Sequence, residues 1–411
     1  MKILLINKFH YLRGGSETYY FALEELLRNS GHEVVFFAMH DERNIPCKQS
    51  KYFVSNVDYN AKSSLLSKIS NVCKMYYSFE AKKKMRQLLK EEKPDIVHVG
   101  LIHKQITFSV IDIIRKFKIP IVFSVHDLIL VCPCYTMLSP NGPCQDCIKY
   151  GVKSCLKKGC VNGSKLKSLL AVFENKFLNL GGYYNKVDIY ITECEFYKEI
   201  LEQSNFTKSK MVCIPNFLPP SKSIELNVFN GDYFLFFGRF SKEKGILTLL
   251  RAYKESHVTI PLIIIGGGPQ QNAIEEFIRD NGLAENIVLP GYVYGTEMVK
   301  YIKECKAVIV PSEWYENCPY SVLESMAKGK IVVASKIAGL PELIDYETGF
   351  LFEPGNVEEL SKLLKEIEML DKEEFERITR NVYKKTISCF SPDIYMEKMI
   401  SIYKQLLNKV E

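Results

Sequence analysis

The chain opens on a short apolar run, "KILLIN" at 2–7, and similar runs recur along its length, separated by stretches whose apolar residues return every three or four positions. In the first half the runs are "EVVFFAM", "PDIVHVG", "PIVFSVHD", "VDIYITEC" and "MVCIPNF". Between them the spacing predicts a helix opened by Ser16 and ended near Gly31, a basic helix over "EAKKKMRQLLKEEK", and another near 106–117. Apolar runs without polar alternation predict strands buried on both faces, and their alternation with helices predicts a parallel sheet. The second half starts the rhythm again with "YFLFFGRF", "PLIIIGGGP", "NIVLPGYV", "AVIVPS" and "KIVVAS". The pattern predicts an α/β protein of two Rossmann-like, doubly wound domains facing across a cleft, with the polar chemistry in the loops after the strands.

The segment "PNFLPPSKS", with Pro215, Pro219 and Pro220, reads as a linker and sets the domains at 1–215 and 216–390. An interruption at 132–163 breaks the first alternation, and 391–411 reads as a closing helix that packs back across the cleft. A length of 411 residues fits two cores better than one. No apolar run approaches the roughly eighteen residues of a membrane span, and the start of the chain is too short in apolar residues for a secretory signal, so a cytoplasmic protein is expected. Charge is divided unevenly: residues 1–215 carry 31 Lys and Arg against 20 Asp and Glu, and 216–411 carry 23 against 28, or +11 and −5. A basic half is drawn to nucleic acid or to an anionic membrane surface, and a plainly solvated basic face is the alternative. Lys82, Lys83, Lys84, Arg86 and Lys90, on one short helix, favour peripheral association with the inner face of the plasma membrane.

Three loops after predicted strands hold the candidate chemistry. In "HYLRGGSET", Gly14 and Gly15 permit close backbone approach at a helix start that welcomes an anion. In "GRFSKEKG", Arg239 and Lys244 precede a helix and suit a diphosphate, Arg as a fork and Lys as a point charge. In "PSEWYENCPYSVLESMAKG", Glu316 stands just before a helix and Glu324 eight residues on, inside it. If that stretch were helical throughout, the two carboxylates would lie about 12 Å apart along the axis, too far for joint attack on one bond. They are better placed to hold two hydroxyl-bearing parts of one elongated ligand.

These motifs together, the Glu316-x7-Glu324 spacing with its trailing "ESMAKGKIVVAS", the "GR-x4-KG" of 238–245, "GYV" at 291–293 and the early "GGSE", resemble retaining family-four glycosyltransferases of the GT-B fold. The resemblance implies a nucleotide diphosphate sugar donor, with Glu316 on sugar hydroxyls, Glu324 on the ribose, Arg239 and Lys244 on the diphosphate, and Gly14 and Gly15 approaching the same phosphates. It further implies base contacts at Tyr292, Val293 and Tyr294, donor contacts at Asn317, Cys318 and Tyr320, and an acceptor-side catalytic histidine at His126. His10 and Glu17 line the same mouth on this reading, with Asp127 orienting its neighbours. Where many relatives have Gly-Phe-Gly, this chain has "NCPY", and Pro319 has no N–H to offer. The implied reaction retains anomeric configuration and delivers the sugar to a saccharide or lipid-linked saccharide in cell-surface polysaccharide biosynthesis. The chain has no Asp-x-Asp pair, so no catalytic cofactor is expected and cations of the chain must neutralise the leaving diphosphate.

Six of the 13 cysteines fall between 132 and 160. The C-x2-C and C-x4-C spacings suit a structural zinc on Cys144, Cys147, Cys155 and Cys160, with Cys132 as a substitute. A sugar-nucleotide epimerase of the GT-B fold is the nearer alternative. A zinc-containing nucleic-acid binder is the remoter one: it leaves Glu316 and Glu324 without a role, and the single Trp314 gives no stacking platform, so no nucleic-acid partner is expected.

Overall fold

The computed structural model describes residues 1–56, 74–139 and 142–409. The chain forms two compact units, one built from Met1–Pro140, Cys144–Pro215 and Pro392–Glu411, the other chiefly from Asn216–Ser391. Residues 410 and 411 of the expected closing segment lie outside the described residues.

The first unit holds strands β1 (Lys2–Ile6), β2 (Glu33–Phe37), β3 (Ile96–Val99), β4 (Ile121–Val125), β7 (Ile189–Thr192) and β8 (Lys210–Cys213) in one parallel sheet of order β2-β1-β3-β4-β7-β8. A small ribbon, β5 (Leu138–Ser139) with β6 (Gly142–Pro143), lies within the cysteine-rich segment. Strands β3, β4 and β7 are buried at every position, which explains why they read as apolar runs without alternation. Beyond β2 a single parallel bridge, Met39 to Val54, stands where a further edge strand would lie.

The second unit holds β9 (Phe234–Arg239), β10 (Leu262–Gly267), β11 (Ile287–Gly291), β12 (Ala307–Val310), β13 (Ile331–Ser335) and β14 (Gly349–Phe352) in the parallel order β11-β10-β9-β12-β13-β14. Counted within the unit this is the doubly wound order 3-2-1-4-5-6, whose switch point falls between β9 and β12. Its core joins the strands to apolar faces of the helices Ile246–Ser256, Tyr320–Met326, Val357–Glu368 and Lys372–Phe390.

Helix starts follow local chemistry in several places. Ser78 accepts from the Ala81 N–H at 3.1 Å, Ser164 from Lys167 at 3.3 Å, and Asp371 from Glu374 at 2.8 Å. Ser16 departs from its expected role. The helix begins at Gly15 without a side-chain cap, and the Ser16 hydroxyl instead donates to Glu17 at 3.0 Å. The closing helix, Pro392–Leu407, belongs to the first unit, where Tyr395 and Tyr403 are buried. No helix among the described residues is long and apolar enough to cross a membrane.

Candidate functional site

In the second unit the candidate residues gather at the switch point. Strand β9 ends at Arg239, and the turn after it reaches Gly245 at φ 66°. A Cβ at Gly245 would lie 1.8 Å from the Pro311 carbonyl oxygen, so only glycine lets this turn lie against the loop that follows β12. That close approach sets Lys244 Nζ 2.6 Å from Glu316 Oε1. The Glu316 side chain is 6% exposed and also accepts from the Ser312 hydroxyl at 2.6 Å. Burial opposes its ionisation, yet Lys244 and Ser312 hold the carboxyl below the usual carboxylate range. Lys244 in turn lies over the Trp314 ring, 5.3 Å from its centroid.

Arg239 is tethered in the same way but in solvent: it donates to Glu243 Oε1 at 2.7 Å, and Glu243 also accepts from Ser241 at 2.7 Å. Glu324, inside the helix Tyr320–Met326, has Lys222 Nζ 3.5 Å away, and burial raises its carboxyl above the ordinary value against the pull of that lysine. Cys318 is buried and its carbonyl accepts from Asn216 at 3.0 Å, while Pro319 stands immediately before the helix. Asn317 and Tyr320 flank that pair in the same loop. After β11, Tyr292 and Tyr294 present exposed rings, parallel within 4° and 6.1 Å apart, with Val293 packed on the core between them. Tyr292 rests on Gly267, where a Cβ would come within 2.7 Å of its ring.

In the first unit His126 follows β4 directly and Glu193 follows β7 directly. Because Val125 pairs with Thr192 across the two strands, the next residue of each meets the other: His126 Nδ1 lies 2.5 Å from Glu193 Oε1, and both side chains are 6% exposed. Burial would lower the imidazole pKa, but Glu193, helped by Asp127 and Glu17, raises it above the ordinary histidine value. The edge of Tyr19 packs on His126 at 4.8 Å. Behind it runs a buried network in which the Tyr19 hydroxyl meets those of Tyr395 at 2.5 Å and Ser124 at 3.0 Å, and His98 bonds Ser124 at 2.7 Å and the Tyr403 hydroxyl at 2.6 Å.

Several expected positions take other roles. His10 does not line a mouth: it is buried among Tyr20, Phe21, Phe36 and Phe53, bonds the Tyr20 hydroxyl at 3.0 Å, and burial lowers its pKa to about 4. Glu17 is also buried and accepts from Asn7 at 3.3 Å, tying the helix start to the end of β1. Asp127 accepts from the Ile129 N–H at 3.0 Å and so shapes its own turn, while Glu193 orients His126. Gly14 and Gly15 do lie at a helix start, Gly14 in extended backbone and Gly15 as the first helical residue. Among the described residues no three His, Cys, Asp or Glu groups converge on a position able to hold a metal ion. The expected set of Cys144, Cys147, Cys155 and Cys160 is rearranged into a chain of pairwise thiol contacts: Cys132 with Cys134 at 3.4 Å, Cys132 with Cys147, Cys134 with Cys155, and Cys155 with Cys160. Cys144 faces Lys158 Nζ at 3.4 Å instead.

The two parallel units define the GT-B class of fold, and comparison with known proteins agrees. Residues 13–222 match the model of "Glycosyltransferase Family 4" and 222–385 that of "Glycosyl transferases group 1", so the chain belongs to glycosyltransferase family 4. A 42.6 kDa protein of the cps region of Klebsiella pneumoniae is 23% identical over 84% of this chain and 87% of its own length. A putative colanic acid biosynthesis glycosyltransferase of Escherichia coli is 23% identical over 41% of this chain. The chain spans about half the length of most curated relatives it matches, 44% in that case. Among solved structures, a sucrose-phosphate synthase of Thermosynechococcus elongatus shares the fold with TM-score 0.68, 18% identity and 99% of each chain covered. The Anabaena protein HepE, in complex with UDP and glucose, does so with TM-score 0.66, 17% identity, and 98% of this chain and 100% of its own covered.

Proposed function

We propose that this chain is a retaining, metal-independent glycosyltransferase that moves a hexosyl-type sugar from a nucleoside diphosphate sugar to a saccharide or lipid-linked saccharide in cell-surface polysaccharide biosynthesis. The observation that carries the reading is the Lys244–Glu316 pair at the switch point of the second unit, in a chain that belongs to family four. An ionised, nearly buried carboxylate paired with a lysine offers two complementary contacts to one ligand: an acceptor for sugar hydroxyls and a cation for phosphate oxygens. Arg239, two-thirds exposed, adds the second cation, and Glu324 the acceptor for ribose hydroxyls. Tyr292 and Tyr294 offer aromatic faces to the base. The cps and colanic acid relatives support the polysaccharide setting, and HepE supports a UDP-linked sugar.

In this reading the bond between the anomeric carbon and the diphosphate oxygen breaks as the acceptor oxygen bonds the same face of that carbon. The acceptor proton passes to the departing phosphate, whose charge Arg239 and Lys244 take up. His126, held by Glu193 in the first unit, is the candidate donor on the acceptor side of this reading.

The test is transfer of radiolabelled hexose from UDP-, GDP- or ADP-sugars to an acceptor pool. Label is expected on the acceptor with anomeric configuration retained, and Glu316→Gln should lower transfer far more than nucleotide affinity. Label that stays on the nucleotide with altered sugar stereochemistry would make the chain an epimerase and overturn the proposal.

A further inference from the structure

The helix Lys165–Leu180 buries one face against the first unit through Ser168, Ala171, Val172, Glu174, Asn175 and Leu178. Its outer face is also apolar. Leu166 is 67% exposed, Phe173 57%, Phe177 41% and Leu180 89%. At about 100° per residue these four positions fall within a stripe roughly 60° wide along a helix about 24 Å long. Single exposed apolar residues are ordinary, but a continuous stripe marks an interaction surface.

The stripe does not end with the helix. Phe177 packs on Tyr183 at 5.7 Å, Tyr183 on Tyr77 at 6.4 Å, and Tyr77 on Phe79 at 5.1 Å, and Phe79 is 77% exposed at the start of the basic helix Phe79–Glu92. Charge around it is of one sign. Residues 142–180 carry seven lysines against Asp146 and Glu174; Asp146 pairs with Lys158 at 2.7 Å, and Glu174 is buried. Lys149, Lys153, Lys157, Lys165 and Lys167 are exposed, and among the described residues none of them is ion-paired. Of the five cations that the sequence pointed to on Phe79–Glu92, Lys82 meets Tyr77 and Asp112 and Lys84 meets Phe53 and Glu80, while Lys83, Arg86 and Lys90 are exposed and extend the same positive charge.

We propose that this face docks on an anionic lipid bilayer, with Leu166, Phe173, Phe177 and Leu180 entering the headgroup boundary and the flanking lysines on lipid phosphates. An exposed apolar stripe with lysine shoulders is the arrangement of a helix that lies in a membrane surface. A protein partner would match the apolar stripe equally well, but the unpaired lysines favour a dispersed negative surface.

The test is co-sedimentation with neutral phosphatidylcholine vesicles and with vesicles containing phosphatidylglycerol, without donor or acceptor, so that its outcome is independent of sugar transfer. The chain is expected to sediment with the anionic vesicles and to be released by high salt. Lys157→Gln, Lys165→Gln and Lys167→Gln together should weaken that binding on the order of a hundredfold. Phe173→Ser with Phe177→Ser should abolish it at unchanged Tm, and Leu166→Ser with Leu180→Ser serves if the first pair fails to fold. Absence of binding to anionic vesicles, or binding that survives both apolar pairs, would overturn the proposal. So would a dimer by light scattering that either pair converts to monomer, since the stripe would then be covered by a second copy.

Discussion

The two units share a sheet architecture but build their polar sites by opposite means. In the second unit each charged candidate has an oppositely charged partner in the chain: Lys244 pairs with Glu316, Arg239 with Glu243, and Glu324 with Lys222. In the first unit a nearly buried imidazole is held by one carboxylate and backed by a network of hydroxyl groups that reaches His98 and Tyr403. Ion pairs at a site exchange partners readily when an anionic ligand arrives, because charge is replaced by charge. A buried network of neutral hydrogen bonds has no such exchange available and fixes geometry instead. The contrast teaches that a shared fold leaves open whether a site adapts to its ligand or is set in advance.

The severest way to break the second site is at Gly245. Ala there combines a left-handed backbone with a Cβ 1.8 Å from the Pro311 oxygen, so the β9 turn must leave the β12 loop. Loss of stability above about 4 kcal/mol is expected, read as a collapse of the second unit in denaturant melts. Lys244→Ala should cost about 3 kcal/mol of stability, because it strands a carboxylate that is 6% exposed, and it should weaken nucleoside diphosphate binding at least tenfold by calorimetry. Arg239→Ala sharpens the same comparison: the affinity loss is similar, but the stability change stays below about 1 kcal/mol because the arginine is 66% exposed.

In the first unit, Tyr403→Phe removes the partner of His98 Nδ1 and should cost about 1–3 kcal/mol in denaturant melts, with diphosphate binding unchanged. The smallest effect concerns pH. The His126 pKa is raised in the folded chain, so its pairing with Glu193 contributes stability fully below the ordinary histidine value near 6.5, and that contribution is lost as pH rises through the elevated folded value. Glu193→Gln should flatten this slope between neutral and mildly alkaline pH. A slope unchanged in the variant would show that another group titrates there.

The strands, the two-unit architecture and the Lys244–Glu316 neighbourhood were legible because each depends on local pattern: a run of apolar residues, or charged residues in loops next to strand ends. His126 was readable for the same reason, but its partner was not. Glu193 lies 67 residues away, and only the register of β4 against β7 brings it near. His10 misled because it opens the glycine-bearing loop "HYLRGGSET" after the first strand, whereas four aromatic rings enclose it. The cysteine contacts were not legible, because spacing alone cannot decide which thiols face one another. The stripe on Lys165–Leu180 did leave a trace: the helix is apolar on both sides, a pattern that a single core does not require.

The pairing of residue 98 with residue 403 also constrains how the protein can be made. Ribosomes deliver about 5–20 residues per second, so His98 waits roughly 15 to 60 s for the tyrosine that completes its surroundings. The second unit is continuous from Asn216 to Ser391 and has all its strands and helices before that moment. Although the first unit begins at the amino terminus, it is therefore the last to close during synthesis. A stop codon after Ser391 would strip Tyr395 and Tyr403 from the first unit and leave the second with every strand it uses, and a pulse-chase with limited proteolysis would find the amino-terminal half protected last.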